Sequence, residues 1–542
     1  MHHTPTRTLF TPLLIVAAAM LLMAGTAIAQ RGIDPNHLTI AVQTYPDGID
    51  PHQCAYNNCF VTSHQLGDTL VVRLPEGGFG PHLATGWEYN EEGTSVVFTL
   101  REDVTFHDGT RFDADAVKRN FERVVADETA SRLARSYLGP FESAEVIDDF
   151  TVRINFTRRH APFFNYFASY IPMLSPTAFD ATSLAEFNWA PVGTGPWMVE
   201  RHVPRDRVDL VRNPDYNWPA PIFESSGPPA VERLTIRFIQ EDATRAAVLE
   251  TGEAQAIWNT PPASLPGFKA QSDRYWVEET VMAGPGIHYV LNLSSQSLDE
   301  LLVRRALIYG TDQDMVQATV FLGQGNVARQ GIVSPQTPCY DEAANTMYQY
   351  DPERAAELLD EAGWLLNDAG VRTRDGQRLT IVINSVAVGS GPEIGEVLQA
   401  QWSALGIDAR NQTLATAGIQ VDVAQRAEFD VMWRDFGAND PNILSTLFHT
   451  RNAGPGQGWN FNHQTTLPEL DELLDQGDLE TDPDARCAIY AEAQRIINEN
   501  AMIVPVRWRE GVLTGLHAVQ GVRMDQTGIA GLRLYDARIV VD

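Results

Sequence analysis

Hydrophobic and polar positions follow two periodicities along this chain. Residues 38–42 and 96–100 are short apolar runs rich in branched and aromatic side chains, which predict strands. Apolar side chains recur at spacings of three and four through residues 114–124, and Asp113 precedes them as a suitable helix cap. The first part of the chain therefore combines strands with amphipathic helices.

Beyond about residue 285, helical and strand patterns alternate regularly. Asp351 and Asp482 each precede a proline, which is typical of a helix start, and Gly363 is a stop signal for the first of these helices. The predicted helices cover about residues 352–362, 394–405 and 483–497, and the predicted strands about residues 379–383, 407 onward, 429–432 and 502–506. This order predicts an α/β lobe with a mainly parallel sheet. Ligands collect at the carboxyl ends of such strands, and the segment 433–441 follows one of them.

The N-terminus has the three-part pattern of a secretory signal peptide. Arg7 and the amino terminus are positive, residues 13–23 are apolar, and small residues end at Ala29. Cleavage is expected before Gln30, which predicts a periplasmic protein, with an uncleaved membrane anchor as the alternative. No later segment has about 18 consecutive apolar residues, so no further membrane span is expected.

The composition is that of a globular protein with a strong negative charge. Hydrophobic residues make up 44% and charged residues 20% of the 542 residues, and the net charge is −30. Nucleic-acid binding requires concentrated Lys and Arg, so nucleic acid is not expected as a partner. The charge leaves the sign of a small ligand open, because one local site can oppose the global field.

Four cysteines are candidates for disulfides in an oxidising compartment. Cys54 and Cys59 are close enough in sequence to close a small loop, and Cys339 and Cys487 could then pair over a long span. Four cysteines allow three connectivities, and the sequence does not choose among them. Free thiols and a zinc site are the alternatives, although the two-residue cysteine spacing typical of zinc sites is missing.

The sequence shows no motif for catalysis or for phosphate binding. Residues 193–197 contain two glycines, but a strand pattern follows and no Lys-Ser or Lys-Thr pair is present, so a tight turn is the better interpretation. His107 and Asp108 lie in a predicted turn without a nucleophile. A secreted hydrolase would need an activated nucleophile or paired carboxylates, and only the paired carboxylates remain open in so acidic a chain. We therefore expect a binding protein with no catalytic residue, no cofactor and no metal ion.

Several blocks of sequence resemble one family. The most specific are residues 81–84, 86–88, 98–101, 106–110 and 113–117, which read PHLA, GWE, FTLR, FHDGT and DADAV; GTGPW at 193–197, NPDY at 213–216, RRAL at 304–307 and DP at 440–441 support them. In order and spacing they are similar to the peptide/nickel class of extracellular solute-binding proteins, which serve ABC importers. The resemblance covers nearly the whole mature chain.

The resemblance implies a two-lobed α/β clamp of the periplasmic-binding-protein type, which encloses its ligand when the lobes close. Lobe I would comprise residues 30–284 and the C-terminal return 506–542, with an inserted subdomain at about residues 75–185. Lobe II would comprise residues 285–505. The two chain crossings between the lobes would form the hinge.

The resemblance also implies a short peptide as the ligand. In peptide-binding relatives, an acidic residue of the segment corresponding to 433–441 meets the α-amine of the ligand, and Asp435 and Asp440 are the candidates here. Arg434 could bind a carboxylate in bidentate fashion. Burial of a peptide's charged ends requires such partners.

The spacing within this segment leaves two alignments open. Aligned on Pro441, the acidic position falls on Gly437, whereas aligned on Trp433 it falls beside Asp435. Asp440 has the alternative role of capping the helix that follows.

The remaining candidates are aromatic and amide side chains, which line ligand clefts but also occur in cores and loops. They are Tyr56, Asn57, Asn58, Tyr289, Trp433, Asn439 and Trp459.

Other ligands on the same fold remain open: an opine, an oligosaccharide, an amine or chelated nickel, with His288 and His463 as isolated candidates for metal ligands. A chemosensory adaptor that presents its ligand to a membrane receptor would use the same clamp. We expect a monomer that passes its ligand to the permease subunits of an ABC importer.

Overall fold

A computed structural model describes residues 32–54, 57–75, 77–129, 131, 133–325, 331–387, 389–454, 459–463, 467–525 and 531–541. The predicted signal peptide lies outside the described residues. Within these ranges, no helix combines the length and the apolar character needed to cross a membrane.

The first lobe is built on a seven-stranded mixed sheet. Its strands lie in the order Tyr275–Val281, Glu510–Leu516, Ala256–Trp258, His37–Val42, Arg233–Phe238, Arg207–Arg212 and Trp197–Val203. His37–Val42 pairs in parallel with both neighbours, and the other neighbouring strands pair antiparallel. Because Glu510–Leu516 lies inside this sheet, the chain returns to the first lobe near its C-terminus.

A subdomain inserted into the first lobe has its own four-stranded antiparallel sheet. Its strands lie in the order Ala84–Tyr89, Ser95–Leu100, Thr151–Phe156 and Phe141–Asp148. Asp113 accepts a hydrogen bond from the backbone N–H of Ala116 and so caps helix Ala114–Val125, as the sequence predicts. Helix Phe163–Tyr170 packs its aromatic side chains into the same core.

The second lobe contains a five-stranded sheet with helices on both faces. Its strands lie in the order Asp408–Leu414, Thr380–Val386, Val431–Phe436, Gly286–Leu291 and Ile503–Arg507. The first three are mutually parallel, but Gly286–Leu291 is antiparallel to both neighbours. The sheet is thus mixed, and the prediction of a mainly parallel sheet was wrong. Strand Gly286–Leu291 enters from the first lobe, so it begins at the edge of the sheet where the other four strands end.

The helices cover most faces of these sheets. Those of the first lobe are Phe60–Ser63, Ala114–Val125, Leu133–Leu138, Phe163–Tyr170, Pro176–Ala181, Leu184–Phe187, Asp242–Glu250 and Leu265–Lys269. Those of the second lobe are Leu301–Tyr309, Gln313–Val320, Glu342–Asn345, Pro352–Glu361, Gly391–Ala404, Ala417–Gln425, Ile443–Phe448, Pro468–Leu479 and Pro483–Glu499. Short 3-10 helices cover Asn57–Cys59, Asp127–Thr129 and Thr450–Asn452. Three small sheets have two strands each: Val71–Arg73 with Phe79–Pro81, Val519–Gln520 with Arg538–Ile539, and Arg523–Met524 with Leu532–Arg533. A fourth small sheet has three strands, Leu365–Leu366, Arg372–Arg374 and Gln377–Arg378.

Glycines allow the two crossings between the lobes to lie close to neighbouring backbone. The first crossing follows strand Tyr275–Val281, and the second follows Ile503–Arg507. Gly284 has a φ of +110°, and a Cβ there would lie 2.3 Å from the backbone nitrogen of Ala438. Gly286 has a φ of +66°, and a Cβ there would lie 2.6 Å from the carbonyl oxygen of Arg507, the last residue of strand Ile503–Arg507. A larger residue at either position would separate backbones that are in contact.

Two disulfides are formed, Cys54 with Cys59 and Cys339 with Cys487. They close sequence separations of 5 and 148 residues, respectively. The longer one joins helix Pro483–Glu499 to a loop of the same lobe.

Loss of the long-range disulfide should destabilise the protein more than loss of the short-range one. A disulfide restricts the unfolded chain, which in the chain-entropy model contributes about 5 kcal/mol for the longer loop and about 2 kcal/mol for the shorter one. We expect Cys339→Ala with Cys487→Ala to lower the urea midpoint of unfolding further than the matched pair Cys54→Ala with Cys59→Ala. Equal midpoints for the two double variants would contradict this expectation.

Candidate functional site

The edge of the second sheet that faces the first lobe is the candidate binding surface. Strands Thr380–Val386, Asp408–Leu414, Val431–Phe436 and Ile503–Arg507 all end there. Both crossings between the lobes lie at the same edge. Side chains at the end of Val431–Phe436 and in the loop after it can therefore face the first lobe.

Strand Val431–Phe436 extends further than the sequence predicts, because its pairing with Gly286–Leu291 continues through Phe436. Trp433, Arg434 and Asp435 therefore lie within the strand and not in a loop after it. Successive side chains of a strand point to opposite faces, so Arg434 points away from Trp433 and Asp435.

Asp435 faces a basic side chain of the second crossing. Its Oδ2 lies 3.8 Å from the Nε of Arg509, and the two side chains are 26% and 24% exposed. Asp435 Oδ1 is buried and accepts no hydrogen bond within the described part of the chain. The carbonyl oxygen of Arg509 accepts a hydrogen bond of 2.8 Å from Met282 N in the first crossing, which fixes this pair beside the hinge. The site thus offers one carboxylate and one guanidinium side by side.

Asp440 has no solvent exposure and is paired within the second lobe. Arg486, on helix Pro483–Glu499, donates to both carboxylate oxygens, with distances of 3.0 Å and 2.7 Å. The backbone N–H of Asn442 donates to Oδ1 at 2.8 Å. These partners hold the pKa of Asp440 below its usual value against the desolvation that burial imposes.

Asn439 and Asp440 also contact the first lobe. The Asn165 amide donates to Asp440 Oδ2, and Arg73 donates to Asn165 Oδ1. Arg73 Nη2 further donates to the carbonyl oxygen of Asn439 at 3.1 Å, and Asn439 Nδ2 donates to the carbonyl oxygen of Asn165 at 3.0 Å.

A second contact between the lobes lies nearby. The backbone N–H of Ala161 donates to the carbonyl oxygen of Asp478 at 2.9 Å, and Arg158 lies 3.9 Å from the Asp478 carboxylate. Asp478 is itself bound by Arg451 Nη2 at 2.8 Å.

His160 lies in this contact with both ring nitrogens buried and without a hydrogen-bond partner among the described residues. The residue as a whole is 8% exposed. Burial, together with the charges of Arg158, Arg486 and Arg451, lowers the pKa of His160 to about 4, although Asp440 opposes them. The ring is therefore neutral where the two lobes meet.

Other predicted site residues lie in the core of the second lobe. Tyr289 is fully buried and its hydroxyl donates to the carbonyl oxygen of Gly391 at 3.2 Å. Arg434 donates to Gln420 at 2.9 Å, and its guanidinium lies over the rings of Phe436, Trp459 and Phe461. The ring of Trp433 packs 3.4 Å from the ideal Cβ position of Gly391.

The candidates near the first disulfide are less completely described. Tyr56 and the side chain of Asn57 lie outside the described residues. Asn58 Nδ2 donates to the carbonyl oxygen of Tyr45 at 3.5 Å.

The two histidines considered for metal binding each bond to backbone. His288 Nδ1 lies 3.0 Å from the carbonyl oxygen of Gly286, and His463 Nε2 lies 2.7 Å from that of Ala424. In the described ranges, no group of three or more His, Cys, Asp or Glu side chains is arranged to hold a metal ion.

Several residues of this surface were not found by sequence reasoning. Arg509 lies just beyond the predicted second crossing, and that position is the signal that could have marked it. Arg73, Asn165, His160 and Arg486 have no local sequence signal, because only the packing of distant segments brings them together.

Comparison with known proteins gives one family over most of the chain. The model named "Bacterial extracellular solute-binding proteins, family 5 Middle" matches residues 78–455. The chain is 26% identical to the Nickel-binding periplasmic protein of Escherichia coli K12, covering 90% of this chain and 92% of the relative. It is also 26% identical to Di/tripeptide-binding protein 1 of Pseudomonas aeruginosa UCBPP-PA14, covering 87% and 88%. The crystal structure of NikA from Brucella suis in complex with Fe(III)-EDTA is similar, with a TM-score of 0.82, 25% identity and coverage of 94% and 100%.

Acidification should destabilise the protein through His160. The imidazole binds a proton more weakly in the folded protein than in the unfolded chain. The free energy of unfolding is therefore unaffected by this group above pH 6.5 and is reduced as the pH falls toward 4. The difference between the two pKa values corresponds to a loss of about 3 kcal/mol in the free energy of unfolding. We expect the unfolding free energy of the parent protein to decline relative to His160→Gln between pH 7.5 and pH 4.

The control for this measurement is His517→Gln, which removes an exposed imidazole of the first lobe. Parallel pH profiles for the parent and His160→Gln in urea unfolding would show that His160 is not held neutral.

Proposed function

Because the chain belongs to the bacterial extracellular solute-binding proteins of family 5, we propose that it captures a short peptide between its two lobes and delivers it to the permease of an ABC importer. The family consists of binding proteins, so no turnover of the ligand is part of this function. The proposed lobes are residues 30–284 with 506–542, and residues 285–505. The proposed compartment is the periplasm, reached by cleavage of residues 1–29.

The observation that carries the peptide proposal is the facing pair of Asp435 and Arg509. A peptide has an ammonium group at one end and a carboxylate at the other, and burial of either end requires a charged partner. Asp435 supplies the acceptor for the amine, and its buried Oδ1 is available for this bond. Arg509 supplies the donors for the carboxylate. The name of the Pseudomonas relative supports the same ligand class.

Asp440 is left out of the proposed anchor. Arg486, Asn165 and the N–H of Asn442 already occupy its two oxygens. Asp435 is therefore the acid of the segment that can meet a ligand.

A chelated metal is the second candidate ligand. The names of the Escherichia relative and of the Brucella structure support it. Arg509 would then bind a carboxylate of the chelator, and no protein group need touch the metal. Such a ligand would place a carboxylate beside the Asp435 carboxylate, and the two negative charges would repel each other. A peptide, which offers an ammonium group to Asp435, is therefore the favoured ligand.

Native mass spectrometry of protein purified from the periplasm tests the function directly. Release of short peptides after denaturation would support the proposal. Release of one discrete chelate or other small molecule would transfer the assignment to that compound. Hydrolysis of an offered peptide by the purified protein would contradict a function in binding alone.

Substitution of Asp435 should weaken peptides that have a free amine. Asp435→Asn keeps the size of the side chain but removes the charge, and we expect at least a tenfold loss of affinity for a dipeptide such as Ala-Ala, or about 1.4 kcal/mol. Isothermal titration calorimetry measures the change, with N-acetylated Ala-Ala as the ligand that lacks the amine.

Asp422→Asn is the matched control, because it removes one negative charge from an exposed helix position of the same lobe. Unchanged Ala-Ala affinity in Asp435→Asn, or an equal loss in both variants, would remove Asp435 from the anchor.

A further inference from the structure

Four side chains join the lobes at a place that does not include the facing pair of Asp435 and Arg509. Arg73 and Asn165 belong to the first lobe, and Asn439 and Asp440 belong to the second. Three of the hydrogen bonds described above cross between the lobes, and the fourth, from Arg73 to Asn165 Oδ1, lies within the first lobe and orients the Asn165 amide. We call these four residues the interlobe latch.

The latch is preorganised on the side of the second lobe. Arg486 and Asp440 belong to the same lobe, and their bidentate pair does not depend on the position of the first lobe. Arg486 is only 11% exposed and Asp440 is fully buried, so the carboxylate is held in one place. When the lobes separate, this ion pair can persist, while Asp440 exchanges Asn165 for water.

The latch is also partly sealed from water. Burial lowers the pKa of Arg73, and the charge of Asp440 opposes that effect. Asn439 is 2% exposed. A hydrogen bond to a buried carboxylate is stronger than one between neutral groups, and an unpaired partner at such a place is costly. Both effects favour contact between the lobes over partial separation.

We propose that the interlobe latch sets the balance between open and closed lobes independently of the ligand, and that Asp440 serves closure and not recognition. This inference rests on the proposed clamp function. It assigns to one segment two separate tasks, with Asp435 for the ligand and Asp440 for closure. Weakening the latch should then lower the affinity for every ligand by the same factor, because each must close the same lobes.

The test measures the lobe separation of the full mature chain without ligand. Spin labels on cysteines introduced at Glu142 and Glu472, which are exposed on the two sides of the contact, give the distribution of distances by double electron–electron resonance. We expect Asn165→Ala to raise the ratio of open to closed molecules about tenfold, since it removes the side-chain hydrogen bond that crosses between the lobes to the Asp440 carboxylate. Asn155→Ala is the matched control, because it removes a partly exposed side-chain amide of the same subdomain, whose hydrogen bond within the described residues goes to Ser143 Oγ.

A charge placed in the latch gives a second and stronger variant. Asn165→Asp sets two carboxylates against each other and should open the lobes further than Asn165→Ala. The urea midpoint of unfolding of Asn165→Asp, compared with that of the parent, separates a broken latch from general misfolding.

The outcomes distinguish this inference from the proposed function. Identical distance distributions in the parent, Asn165→Ala and Asn165→Asp would overturn the latch, whatever ligand is bound. A latch effect without any binding of Ala-Ala would uphold the latch and overturn the peptide assignment. A loss of Ala-Ala affinity confined to Asp435→Asn, with none in Asn165→Ala, would also contradict the latch.

Discussion

The ion pair between Asp440 and Arg486 is the constraint on which the contact between the lobes depends. A carboxylate with no solvent exposure must have its charge and its lone pairs satisfied, or the fold pays a large desolvation cost. Arg486 and the backbone N–H of Asn442 satisfy most of this need from within the second lobe. The rest comes from Asn165 across the contact. A buried charge at the rim of one lobe thus requires a polar surface on the other, and Arg73 completes that surface.

The segment 435–440, which includes Asp440, also contacts the hinge. Strand Val431–Phe436 presents Asp435 beside Arg509 of the second crossing. Two residues beyond the strand, Ala438 N donates to the first crossing, against which Gly284 is closely packed. Asn439 and Asp440 then reach the first lobe. Within the six residues 435–440, the segment is hydrogen-bonded both to the hinge and to the opposite lobe. A ligand that moves Asp435 would therefore move a segment that contacts both. This continuity gives a physical route from occupancy of the site to closure.

The sequence was a good guide to elements whose periodicity is strong and local. The helix capped by Asp113 and the helix that begins at Pro483 are where the patterns predict them, because capping and apolar spacing act over a few residues. The end of strand Val431–Phe436 was predicted too early, since its pairing with Gly286–Leu291, which no local pattern reveals, extends it. Within the longer strand, Arg434 is buried and Asp435 is about a quarter exposed. Contacts such as Asn165 with Asp440 join residues 275 positions apart, and no local pattern records them.

The chemistry of the facing pair bears on which ligand the cleft prefers. Asp435 and Arg509 are about a quarter exposed and 3.8 Å apart, so their mutual attraction is screened and contributes at most about 1 kcal/mol. A zwitterionic ligand can replace this weak contact with two charged hydrogen bonds, one at each of its ends. A ligand that carries only carboxylates would satisfy Arg509 and leave Asp435 enclosed beside a like charge, which costs more as closure excludes water. Gly437, the alternative acidic position, has no side chain to offer a different amine acceptor. The balance of these terms favours a ligand with both an amine and a carboxylate, as in a short peptide.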